Sequence, residues 1–79
     1  MQTFEVKYNG KTYLQYHGNA FDRGSADSYY HRPRNPHLYP LGTGNGDRIE
    51  IDNMSPEEIE AYNAGYDWNE ECGDKKDWG

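Results

Sequence analysis

From Thr3 to Tyr16 (TFEVKYNGKTYLQY) bulky and polar residues alternate with the two-residue period of strands, broken at Asn9-Gly10. That dipeptide supplies the two positive-φ positions of a type I′ turn, so residues 1–17 predict a β-hairpin. A two-residue turn pairs Val6 with Tyr13 and places Phe4, Val6, Tyr8 and Tyr13 on one face. A three-residue loop with Gly10 in a bulge instead places Phe4 and Val6 beside Thr12, Leu14 and Tyr16, a more apolar face that sets Lys7 against Lys11. A one-residue slip exchanges the faces. Both registers stay open here, with the first preferred. Two strands alone are marginal in water, so the hairpin must pack on something.

The period then lengthens. Over residues 19–31 (NAFDRGSADSYYH) a helix is expected, with Asn19 as N-cap and Asp22 at N3, where a carboxylate faces the positive end of the helix dipole. Pro33 disfavours helical backbone at Arg32, which puts the end near Tyr30 or His31. Gly24 costs the helix about 1 kcal/mol relative to Ala and so signals a close packing contact. Residues 32–47 carry Pro33, Pro36, Pro40 and the segment GTGNG and read as a loop, most mobile at GTGNG. Residues 48–52 (RIEID) alternate and predict either a short third strand beside the hairpin or an irregular segment. Residues 55–72 form the second helix: Ser55 is the N-cap, Pro56 is N1, Glu58 completes a capping box, and Ile59, Tyr62 and Tyr66 make an apolar stripe. Gly73 is a natural stop, and in the tail 73–79 Trp78 is expected to dock. The chain thus reads as one α+β domain, an N-terminal hairpin packed on two antiparallel helices.

Composition refines this picture. With 79 residues and 33% apolar content the core is thin. A mean hydropathy of -1.29 leans toward disorder, yet eight Tyr, two Trp and two Phe supply a core built from rings. One Cys, Cys72, excludes an internal disulfide and a CxxC metal site. The absence of a long apolar run argues against a membrane span, and the N-terminus lacks a signal-peptide pattern, so a cytoplasmic protein acting in a bacterial host cell is expected. Charge is uneven: residues 1–48 hold six bases and four acids, residues 49–79 two bases and ten acids. The second half repels nucleic acid and attracts basic protein faces.

The two helices open alike. Ala20-Phe21-x-x-Gly24 recurs as Ala61-Tyr62-x-x-Gly65. Small residues at i and i+4 share a helix face, so Ala20, Gly24, Ala61 and Gly65 are read as a helix–helix crossing at the two glycines, or alternatively as a groove for a partner. With Asn35-Pro36 in the connection and Tyr62-x-x-Gly65-Tyr66 in the second helix, residues 20–68 resemble the ribosome modulation factor family. That resemblance implies a helical pair that binds the small ribosomal subunit and promotes inactive ribosome dimers. The family is strongly basic, whereas the second helix here carries Glu57, Glu58, Glu60, Asp67, Glu70 and Glu71, and the hairpin is additional. The helical pair is carried over and the ribosome is not. Small acidic, Tyr-rich chains of this style also occur among phage accessory proteins that disable host or defence proteins.

Three sets of residues are candidates for chemistry. His17, His31, His37 and Cys72 lack ligand spacing, so no metal or other cofactor is expected, and the histidines read as surface or loop residues. Arg23, Arg32 and Arg34 with Tyr29, Tyr30 and Tyr39 have the mixture that single-stranded nucleic acid uses, guanidiniums on phosphates and rings under bases. The same residues equally serve as bridges to the acidic helix. The carboxylates of that helix are a solvated face or a mimic of phosphate rows that enters a basic groove. No triad, phosphate loop or zinc motif is present, so a non-enzyme is expected. The favoured expectation is a phage-type inhibitor or modulator, monomer or homodimer. It would engage the basic groove of a host or defence protein through Glu57, Glu58, Glu60, Asp67, Glu70, Glu71, Tyr66 and Trp68. The alternative is contact with ribosome or rRNA through Arg23, Arg32, Arg34, Tyr29 and Tyr30.

Overall fold

A computed structural model describes residues 3–40 and 46–72, without the side chain of Cys72. Strands β1 (Thr3–Tyr8) and β2 (Lys11–Tyr16) form an antiparallel hairpin, followed by helix α1 (Ala20–Tyr29). Two-residue strands β3 (His37–Leu38) and β4 (Ile49–Glu50), a 3-10 turn at Ile51–Asn53 and helix α2 (Pro56–Cys72) complete the chain. The expected α+β class is observed.

Val6 pairs with Tyr13 and Tyr8 with Lys11, so the turn has two residues, Asn9 at φ 54° and Gly10 at φ 79°. This is the preferred register. Val6, Tyr8, Tyr13 and Gln15 are half-buried on the inner face, while the outer face, with Leu14 and Tyr16, is exposed. Ring stacking of Tyr13 on Phe21, with centroids 5.3 Å apart, fastens the hairpin to α1.

Asn19 caps α1, its side chain accepting from the backbone N–H of Asp22 at 2.8 Å. The helix stops by a Schellman arrangement rather than through Pro33. His31 sits at φ 60°, its N–H bonds the Ser28 carbonyl, and the Arg32 N–H reaches back to the Asp27 carbonyl at 2.8 Å. A histidine occupies the left-handed position that glycine usually takes. Helix α2 starts as expected: Glu58 N–H donates to Ser55 Oγ at 3.2 Å, and Ser55 N–H to Glu58 Oε1 at 2.8 Å.

The helix crossing is reciprocal. A methyl group at Gly24 would overlap the Tyr62 carbonyl and lie 2.9 Å from the Tyr66 nitrogen. A methyl group at Gly65 would overlap the Phe21 carbonyl and lie 3.1 Å from the Phe21 Cα. Each glycine therefore abuts the aromatic residue of the other helix's motif. Further contacts advance in step: Ala20 and Ala61 line one pocket at the N-terminal ends, and Asn69 Nδ2 donates to Ser28 Oγ at 3.0 Å toward the C-terminal ends. The two helices thus run in the same sense, which corrects the antiparallel expectation. A short link favours antiparallel neighbours, whereas residues 30–55 are long enough to carry the chain back. By Tyr39, whose N–H donates to the Gly18 carbonyl at 2.7 Å, the chain is again at the start of α1.

That return path also settles residues 48–52. Ile49–Glu50 pairs antiparallel with His37–Leu38 instead of extending the hairpin, and Ile51–Asn53 turns into a 3-10 helix. The third hairpin strand is therefore not formed, and the segment read as loop contributes β3. Phe21 and Tyr62 are fully buried, with Ala20, Leu38 and Met54 beside them. The expected stop at Gly73, the docking of Trp78 and most of GTGNG lie outside the described residues.

Candidate functional site

Five of the six carboxylates singled out on α2 are engaged by this chain's own groups. Glu58 closes the capping box. Glu60 accepts from Lys11 Nζ at 2.6 Å and Tyr13 OH at 3.1 Å, and these bonds hold it below the ordinary carboxylate range. Asp67 accepts from Arg34, which also donates to Asn63 Oδ1 at 3.1 Å. Glu70 accepts from the Ser28 hydroxyl at 2.5 Å, and Glu71 from the Tyr8 hydroxyl. Glu57 is exposed and hydrogen bonds to none of the described residues. The rings are occupied too. Tyr66 is half-buried, donates to the Arg32 carbonyl at 2.5 Å and lies under the Arg34 guanidinium at 4.5 Å, and Trp68 is half-buried against Phe21. Most of the acid of α2 tethers the hairpin, α1 and the residue 30–36 segment to this helix.

The arginines divide. Arg34 is the one that bridges to the acidic helix. Arg23 and Arg32 instead turn to Asp27, at 3.6 and 3.5 Å. Asp27 is buried, and its Oδ2 accepts from the Tyr62 hydroxyl at 2.5 Å. Burial and that bond push the Tyr62 phenol well above its usual range. Arg23 Nε also donates to His37 Nε2 at 3.0 Å, while His37 Nδ1 contacts the Asn35 carbonyl at 2.7 Å. His37 is 2% exposed, not a surface histidine, and burial holds it below the ordinary imidazole value. Tyr29 and Tyr30 meet edge to face at 4.9 Å, and Arg32 lies over the Tyr30 ring at 4.9 Å.

Two of the openings beside the helix pair bear on function. Around Asp27 a cleft of about 480 Å³ is lined by Arg23, Arg32, Arg48, His37 and Asn35. At the N-terminal ends of the helices a pocket of about 190 Å³ has a floor of Ala20, Phe21, Leu38 and Ala61, with Tyr16, Glu57 and Glu58 also lining it. Among the described residues no three His, Cys, Asp or Glu side chains converge as a metal-binding group. No helix among them is long and apolar enough to cross a membrane.

Sequence reasoning missed Asp27 and Arg48 and took His37 for a surface or loop residue. Asp27 lies four residues after Arg23, a spacing that pairs charges on a helix, so it was open to view. Pro-rich surroundings hid His37, whose burial follows from the return of the chain along α1. Comparison with family models, with curated proteins and with solved structures finds no match for this chain.

Proposed function

We propose that this chain is a small non-enzymatic binding protein, an inhibitor or modulator that docks on a positively charged face of another protein. The observation that carries this reading is the pocket at the start of α2. Its apolar floor of Phe21, Leu38 and Ala61 suits the methylene stem of a lysine or arginine, and the Glu57 carboxylate suits the charged head. Tyr16, 37% exposed, lines the same pocket, and Leu14, 55% exposed, follows it on the outer hairpin face. An aromatic and an aliphatic side chain beside an unengaged carboxylate form the kind of anchor that concentrates interface energy. The contact surface is thereby drawn to one end of the acidic helix. Glu60, Asp67 and Glu71 act in folding, so a substitution test on them would confound binding with stability.

A second reading, contact with RNA of the ribosome-modulation type, is favoured by one observation: Arg23 and Arg32 share a cleft with Arg48. Affinity capture from bacterial lysate, with and without nuclease, separates the two. The first reading expects one discrete protein partner, retained after nuclease and lost with Glu57→Lys or Tyr16→Ala at unchanged circular dichroism. Ribosomal proteins that vanish on nuclease treatment, with capture indifferent to both substitutions, would exclude it.

A further inference from the structure

We infer that the cleft around Arg32 and Arg48 binds a phosphate monoester, either a small molecule or the terminal phosphate of an oligonucleotide. The inference is independent of the acidic pocket at the other opening. At about 480 Å³ the cleft falls within the roughly 300–1,000 Å³ of small-ligand sites. Its floor is already balanced. Arg23 faces the buried Asp27, whose other oxygen takes the Tyr62 hydroxyl, and His37 accepts from Arg23 on one ring nitrogen while the other meets the Asn35 carbonyl. With Nε2 accepting, Nδ1 carries the proton and the ring is neutral. Arg32 and Arg48, paired with Asp27 at 3.5 Å and Glu50 at 2.8 Å, leave the opening with a net positive charge.

Arg32 is 53% exposed and reaches Asp27 only at 3.5 Å, so most of its five donors remain available. Arg48 holds Glu50 through Nε at 2.8 Å, an ion pair 34% and 55% exposed, and its two terminal nitrogens are unused among the described residues. Asn35 lines the same opening, and with its backbone N–H and carbonyl committed to Tyr62 and His37 the donor it has left is its side-chain amide. Two forked cations and an amide donor above a neutral floor match the three acceptor oxygens and double charge of a phosphate monoester. A carboxylate offers only two oxygens and one charge. Pro33 gives the organic group an apolar wall.

Titration calorimetry of the full chain would use four probes: inorganic phosphate, adenosine monophosphate, acetate, and one oligoribonucleotide with and without a 5′-phosphate. Binding of adenosine monophosphate, weakened about tenfold or more by Arg48→Ala and by Arg32→Gln and unchanged by Lys7→Ala, is the expected result. Arg48→Lys keeps the charge but loses the fork and should also weaken it. A 5′-phosphate that strengthens oligonucleotide binding through the same two arginines assigns the terminal phosphate as the source. If it adds nothing while the mononucleotide binds, the small ligand is the source. The inference fails if no phosphate probe binds at millimolar concentration, if acetate binds equally well, if Arg32 and Arg48 substitutions leave affinity unchanged, or if only oligonucleotides bind, regardless of their 5′ end.

Discussion

The helix pair and the hairpin are held by different physics. Between α1 and α2 two backbones touch, each glycine seated against the other helix's aromatic residue, with Tyr62 and Phe21 sealed from water. Between the hairpin and the helices one ring stack is flanked by polar ties, the exposed ones from Lys11 and Tyr13 to Glu60 and from Tyr8 to Glu71 and the part-buried ones from Gln15 to Asp22 and Ser25. Close packing is lost in steps, because a methylene either fits or forces the backbones apart. Exposed charged ties weaken gradually and are screened by salt. The fold therefore has a close-packed centre and a hairpin held by one ring stack and several polar ties.

The largest expected effect is at the crossing. Gly65→Ala should lower unfolding free energy by about 3 kcal/mol in urea titration, because the overlapped atom is the Phe21 backbone carbonyl and cannot swing aside. That is much of what so small a domain has. The same substitution at Gly10, where the added carbon would meet nothing within 4 Å, should cost about 1–2 kcal/mol through its positive φ alone. Equal losses at the two sites would erase the distinction between centre and hairpin.

An intermediate effect is expected from pH, on the helix-pair side. His37 faces Arg23, Arg48 and Asp27, and burial lowers its proton affinity below the ordinary value of 6.5. Between the unfolded and folded values the unfolded chain binds more protons, so stability is present above about pH 6.5 and falls as pH drops below it. Thermal melts from pH 7.5 to pH 5 should show this loss, and His37→Gln should flatten the slope. A slope unaltered by that substitution would place the titrating group elsewhere.

The smallest effect is expected at the hairpin tie. Lys11→Met removes the exposed bond to Glu60 while leaving Tyr13 on Phe21, so the melting temperature should shift little, and less still in high salt. A loss approaching that of Gly65→Ala would show that charge, rather than ring packing, holds the hairpin.

Local chemistry determined much of this protein by itself. Asn9-Gly10 located the turn, Ser55 with Glu58 set the start of α2, and Gly24 with Gly65 marked the crossing, because turns, caps and steric gaps act over a few residues. Ser28 and Asn69 even repeat the spacing of the two motifs and meet across the interface. The tertiary structure alone decided three things. It decided the common direction of the helices, since pattern shows that two faces match but not which way they lie. It buried His37 and Asp27 together, since that needed the chain from residue 30 to fold back along α1. It also engaged most of the acidic face with this chain's own groups, since whether a carboxylate meets solvent or a neighbouring lysine, arginine or hydroxyl depends on which elements pack against it.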